Sequence, residues 1–137
     1  SGGPPRRVAI GMEQNRLTLL LAALHRHAGI ATHTHDVFVN VVGGIRVQET
    51  AADLPVLLAV LSSFRDRALS RKLVAFGEVG LAGEIRPVPN GEERVREAAA
   101  QGFGRVILPR ANAPKRAHKG IEVVAVDRLA DAIAAAW

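Results

Sequence analysis

The stretch Phe76-Gly77-Glu78-Val79-Gly80-Leu81-Ala82-Gly83-Glu84-Ile85-Arg86-Pro87-Val88 decides how this chain is folded. Apolar residues stand on both sides of Gly80-Leu81-Ala82-Gly83. Leu73 to Val79 and Glu84 to Val88 therefore read as two strands joined by a short hairpin loop, with glycines where the turn can require positive φ. In Asn90-Gly91-Glu92-Glu93-Arg94, an asparagine precedes a glutamate at capping-box spacing, which opens a helix whose face is Val95, Ala98, Ala99 and Gly102. Arg105 to Leu108 and Glu122 to Val126 are two more short strands. Asp127 is placed to cap a last helix that carries Leu129, Ala132, Ile133 and Ala136.

Upstream, Val8 to Gly11 is short and apolar, and Met12 to Ala28 reads as a helix closed by Gly29. Leu17, Leu20, Leu21, Leu24 and Ala28 recur at helical spacing and face the core. Leu19, Ala22 and Ala23 lie off that stripe as a second small or apolar face, suited either to contact with another subunit or to a two-sided layer. Asp36-Val37-Phe38-Val39-Asn40-Val41-Val42 reads as a strand, Gly43-Gly44 turns the chain, and Ile45-Arg46-Val47 resumes it. A helix begins between Thr50 and Asp53 and accepts Pro55 in its first turn. With Leu54, Leu57, Leu58 and Leu61 on one side and Val56, Ala59 and Val60 on another, it is expected to be buried almost all round. Strands alternate with helices throughout, which predicts an α/β fold with helices packed on a mixed sheet.

The 137 residues suffice for one domain, and 48% hydrophobic content supports a single core. Cysteine is absent, which excludes a disulfide framework and a thiolate zinc site and favours a reducing, cytoplasmic setting. The longest apolar runs, Leu17 to Leu24 and Leu54 to Leu61, are too short to cross a bilayer. Eighteen Lys and Arg against thirteen Asp and Glu give a net charge of +5, which points to an anionic partner. No acidic residue lies between Glu97 and Glu122, where Arg105, Arg110, Lys115, Arg116 and Lys119 all fall. Ser1-Gly2-Gly3 reads as a cloning remnant, leaving residues 4–137 as one domain cut from a longer protein.

Several blocks in fixed linear order resemble a known family. They are Gly11-Met12-Glu13-Gln14-Asn15-Arg16-Leu17, Asp36 to Gly44, Glu49-Thr50-Ala51-Ala52-Asp53-Leu54, Gly77 to Val88 and Ile107-Leu108-Pro109-Arg110-Ala111-Asn112. Together they resemble the proteolytic domain of Lon and, more closely, the Lon-like C-terminal domain of the RadA (Sms) family of bacterial DNA repair proteins. The resemblance implies a Lon proteolytic-domain-like fold of the ribosomal protein S5 domain 2 type. It also implies a parent protein with a RecA-like ATPase core that acts in homologous recombination and branch migration after DNA damage. ATP, Mg and zinc would be used in parts absent from this chain, which has no phosphate loop and no zinc cysteines. The resemblance further implies a hexameric ring and DNA contacts. Lon cuts peptides with a serine and a lysine; here the matching positions read Ala52 and Glu92, so no catalytic residue is expected.

For DNA, the cations expected to reach phosphates are Arg16 and Arg26 on the first helix, then Arg110, Lys115, Arg116 and Lys119 in the acid-free segment. A solvated basic face is the competing reading. Arg65, Arg67, Arg71 and Lys72 form a further cluster at a helix end, where cations are favoured in any case. Aromatic content is 4% and tyrosine is absent, so contacts are expected to be with the backbone and insensitive to sequence. Candidate oligomer contacts are Leu19, Ala22 and Ala23. His25-x-His27 and His33-x-His35 with Asp36 have the alternation of a metal site, yet loop histidines explain them better, and no metal is expected. Glu78 and Glu84 read as structural hydrogen-bonding groups. The leading reading is a non-catalytic scaffold that oligomerises and binds DNA for an attached ATPase; the alternatives are a residual Lon-type serine peptidase and a purely structural assembly module.

Overall fold

A computed structural model describes residues 4–10, 12–32, 35–40 and 49–137. In chain order the elements are β1 (Arg7–Ile10), α1 (Gln14–Ala28), β2 (Val37–Asn40), a 3-10 turn (Thr50–Ala52), α2 (Asp53–Arg65), β3 (Leu73–Ala75), β4 (Glu78–Val79), β5 (Ile85–Arg86), α3 (Gly91–Ala100), β6 (Arg105–Pro109), a second 3-10 turn (Arg110–Asn112), β7 (Glu122–Val126) and α4 (Leu129–Ala136). β3, β6 and β7 form a parallel sheet in the order β3-β6-β7, β1 pairs in parallel with β2, and β4 pairs antiparallel with β5. The architecture is mixed α/β, as the alternation of patterns predicted. The resumed strand Ile45-Arg46-Val47 and the Gly43-Gly44 turn lie outside the described residues.

The three-stranded parallel sheet is covered on both faces, the usual solution for parallel strands. Alternate residues point to opposite sides of a strand. Ala75, Ile107, Val124 and Val126 belong to one core with the leucines of α1 and α2 and the apolar face of α4. Val74, Val106, Leu108, Val123 and Ala125 belong to the other, with Val95 and Ala98 of α3. Burying each large aliphatic side chain contributes about 1.5–3 kcal/mol, and Leu17, Leu24, Leu54 and Leu61 are fully sequestered.

Gly29 closes α1 in the left-handed region with φ 70°, and its N–H caps the last turn. Four local expectations differ. The run from Leu73 to Val79 is broken at Phe76-Gly77, because the Gly77 N–H donates to Ala51 O at 2.9 Å while its carbonyl accepts from Leu54 N at 3.1 Å. That backbone pairing with the start of α2 ends β3 and redirects the chain into β4. The capping box does not form: Asn90 takes φ 63° and its side chain caps nothing. Asp127 does not cap α4 either; Arg128 holds the cap position, while the Asp127 carbonyl accepts from Ile85 N at 2.8 Å. On α2, Leu54, Leu57, Leu58 and Leu61 are buried and Val56 and Val60 half-buried, but Ala59 is exposed, so burial falls short of all round.

The β4–β5 hairpin is fastened at both ends. Leu129 N donates to Gly83 O at 2.9 Å, and Glu84 bridges Arg128, which ties β5 to the start of α4. At the tip, the His27 ring at the end of α1 meets Leu81 O at 2.7 Å. Gly83 sits beneath that ring at φ 82°, and a Cβ there would lie 2.6 Å from His27 Cγ.

Candidate functional site

Ala52 ends the 3-10 turn that leads into α2, half-buried, and Glu92 is exposed in the first turn of α3. The preceding Ala51 is buried in the same core as Val95 of α3, so both helix starts converge on one cluster. Neither Ala51 nor Ala52 carries a nucleophilic oxygen. Ser62 and Ser63 lie at the far end of α2, where Ser62 Oγ donates to Arg67 O at 2.6 Å. Ten residues of helical rise put them about 15 Å from Ala52.

The residue after Ala52 organises the site. Asp53 is 3% exposed, and its carboxylate accepts from Arg16 Nε at 3.0 Å, from a second Arg16 nitrogen, and from Val79 N at 3.0 Å. Glu78 approaches the same guanidinium at 4.0 Å. The hydrogen bond to Asp53 raises the Arg16 pKa above its ordinary value, burial opposes this, and the charges of Asp53, Glu78 and Glu13 add to it. Arg16 was expected to meet phosphate; its fork is instead taken up by Asp53, joining α1, α2 and β4. A paired, planar guanidinium suits that bidentate role.

The remaining predicted cations are divided between two layers. Arg26 is exposed near the end of α1, in the layer of α2 and α4. Lys115, Arg116 and Lys119 are exposed in the connection between the second 3-10 turn and β7, whose flanking Ala113 and Ile121 pack on the α3 side. Arg110 is also exposed, and its Nε lies 3.0 Å from Asp127 Oδ2. Arg105, in the same acid-free stretch, pairs with Glu122 at 2.9 Å. Within the Arg65 to Lys72 cluster, Arg65 lies 5.8 Å over the Trp137 ring.

On α1, Leu19 and Ala22 are exposed, as a second face requires, whereas Ala23 is buried in the core. Ala23 lies in the helical row of Leu20 and Leu24 and shares their side of the helix. Leu19 borders a groove of about 220 Å³ shared with Leu81 at the hairpin tip. Among the described residues no group of three or more His, Cys, Asp or Glu is placed to share a metal ion, and His33 lies outside those residues. Among the described residues no helix is long and apolar enough to cross a membrane. Glu84 accepts from Ala82 N at 3.1 Å and lies 3.8 Å from Arg86.

The contacts of two residues emerge only in three dimensions. Asn112, the last residue of the Pro109-Arg110-Ala111-Asn112 block, pairs with Val88 through two 2.8 Å bonds, one in each direction. It leaves no room beside Gly91, where a Cβ would lie 2.6 Å from Asn112 Nδ2. Arg94 donates to Pro89 O at 2.9 Å and Glu49 Oε1 at 2.7 Å, and lies 5.8 Å over the Phe76 ring. The motif marked Asn112 without giving its partner; for Arg94 no local signal exists.

A protein-family model described as ChlI, subunit ChlI of Mg-chelatase, matches residues 7–112. The chain is 62% identical over 129 residues to the DNA repair protein RadA of Escherichia coli K12, 42% over 134 residues to that of Bacillus subtilis 168 and 43% over 129 residues to that of Aquifex aeolicus VF5. These alignments cover 94%, 97% and 94% of the chain but 28%, 29% and 29% of the relatives, so it spans less than a third of their length. Matched over most of its residues by the one and over nearly all of them by the others, the chain belongs to the ChlI family and corresponds to the C-terminal domain of RadA proteins.

Proposed function

We propose that the chain is a Lon-like domain without peptidase chemistry, serving a RadA-type, ATP-dependent repair and recombination protein as an assembly scaffold and a sequence-independent DNA-binding platform. The observation that carries this reading is the segment 113–120. Lys115, Arg116 and Lys119 are exposed there, and no acidic residue lies between Glu97 and Glu122. Cations without an ion-pair partner among the described residues keep their charge available for phosphate. Arg26 is exposed in the same way. Arg110 joins them, because an ion pair with both partners more than half exposed contributes at most about 1 kcal/mol and exchanges readily for phosphate. Arg16 is assigned to the framework through Asp53.

The loss of peptidase chemistry rests on Ala52 and Glu92: the first has no oxygen to attack a carbonyl, and the second has no amine to activate one. ATP, Mg and zinc would belong to other parts of the parent protein. A ring of six subunits, with Leu19 and Ala22 as contacts, would present the same cations repeatedly to one duplex and raise avidity without a new kind of contact. Work on chromosomal DNA would place it in the cytoplasm.

The test is fluorescence anisotropy with labelled duplexes of unrelated sequence across a salt series, with casein hydrolysis followed in parallel. Affinity is expected to be the same for each sequence, to fall linearly with salt on logarithmic axes, and to come without casein cleavage. Salt-independent binding, or casein turnover abolished by Ser62→Ala or Ser63→Ala, would overturn the reading.

A further inference from the structure

A cleft of about 550 Å³ lies against β3 and α3, lined among others by Phe76, Phe103, Glu93, Arg94, Glu97 and Glu49. Its volume falls within the range of small-ligand and side-chain pockets, roughly 300–1,000 Å³. The floor is apolar: Val74, Phe76, Ala98 and Phe103 line it, and Phe76 and Phe103 are two of the four phenylalanines of the chain. The rim has the opposite sign to the molecule. Among the described residues, three carboxylates, Glu49, Glu93 and Glu97, line the cleft against one cation, Arg94, in a chain of net charge +5.

Arg94 is already engaged by Glu49 and Pro89 O. Glu93 and Glu97 stand one turn apart on α3, both exposed; Glu97 accepts from the Gln101 amide at 2.9 Å, and Glu93 has no partner among the described residues. Carboxylates that line one cleft with apolar and aromatic side chains favour a cation that can also use its apolar stem. Arg94 shows the geometry within the chain, with its guanidinium on a carboxylate and over Phe76. A phosphate backbone is repelled by the same rim.

We infer that this cleft docks a partner polypeptide through an arginine or lysine flanked by apolar residues, the guanidinium or ammonium bridging Glu93 and Glu97 while its stem and neighbour lie on the half-buried Val74 and Phe103. The site is separate from the segment that carries the proposed phosphate contacts, and it stands or falls independently of DNA binding.

The test is a nitrogen-15 NMR titration of the chain with two acetylated, amidated peptides, Ala-Leu-Arg-Leu-Ala and the counterpart with Glu in place of Arg. The arginine peptide is expected to shift the amides of Phe76, Glu93, Glu97 and Phe103 saturably, with affinity about tenfold above that of the glutamate peptide. Glu93→Gln with Glu97→Gln, exposed changes that keep the spectrum of the folded chain, should remove that preference. Mixed-sequence duplex should move the amides of residues 113–120 and leave the peptide bound. No saturable shift at the cleft, an equal response to both peptides, or an unchanged preference in the double variant overturns the assignment. A double variant that loses concentration-dependent self-association would show that the occupant is a second copy of this chain, and would also overturn it.

Discussion

Replacing Arg16 by alanine separates a framework role from a DNA-binding role. The Asp53 carboxylate, 3% exposed, would keep only the Val79 N–H at 3.0 Å as a donor. Removing one partner of a buried ion pair costs about 3–5 kcal/mol, because the other charge is left without compensation. The Arg16 side chain is 29% exposed, so water reaches part of the vacated space, which favours the lower end, about 3 kcal/mol. At roughly 3–4 °C per kcal/mol for a chain of this size, the melting temperature should fall by about 10 °C. The pair holds the Arg16 pKa up, so its stabilisation is fully present below the unfolded-state value and is lost only as pH climbs through the folded one. The deficit should therefore be constant from mildly acidic to mildly alkaline pH. The assay is thermal unfolding followed by far-UV circular dichroism, with DNA affinity measured where the variant is folded. Affinity and its salt slope should match the unmodified chain, and Arg16→Lys should fall between, since an ammonium cannot reproduce the fork. A melting temperature within about 2 °C of the original together with a salt slope reduced by about 0.9 would refute the reasoning and return Arg16 to the phosphate surface.

Asn112→Ala leaves both polar groups of Val88 without their partner and should cost about 1–3 kcal/mol in urea unfolding; a loss below about 0.5 kcal/mol would mean water replaces the amide freely. Gly83→Ala puts a side chain at φ 82° against the His27 ring, so about 1–3 kcal/mol should be lost and hydrogen exchange should quicken around Leu81; unchanged exchange would mean that the α1 to hairpin contact does not need this glycine. The Glu84 carboxyl is held below its ordinary value near 4.5 by its own N–H and that of Ala82, with Arg86 and Arg128 adding to the effect. Its contribution is present above the unfolded-state value and lost as pH falls through the lower folded value, so Glu84→Gln should flatten the acid limb of the stability profile. An acid limb of unchanged steepness would remove Glu84 from that account.

Much of the fold was legible because periodicity reports burial directly. The leucines of α1 and α2, the Gly29 cap and the apolar face of α4 all stand where the pattern puts them. What escaped the sequence depends on partners far along the chain. Gly77 ends β3 because its backbone is taken by Ala51 and Leu54. Asn90 does not cap α3: the chain enters that helix through a left-handed residue, beside Gly91 packed under Asn112. Charges were the least legible. Arg16 and Arg26 look alike on the first helix, yet only Arg16 faces a buried aspartate 37 residues away. Lys115, Arg116 and Lys119 could be read more directly, since a segment with no acid nearby in sequence offers them no local partner.

The central claim is that segment 113–120 meets the DNA backbone. The most direct measurement is the salt dependence of duplex affinity for the chain carrying Lys115→Ala, Arg116→Ala and Lys119→Ala, at matched oligomer size. Each phosphate contact contributes about 0.9 to the logarithmic slope, so three lost contacts should flatten it by about 2.7 for any duplex sequence. A slope and affinity equal to those of the unmodified chain would contradict the account and move the DNA surface elsewhere on the molecule.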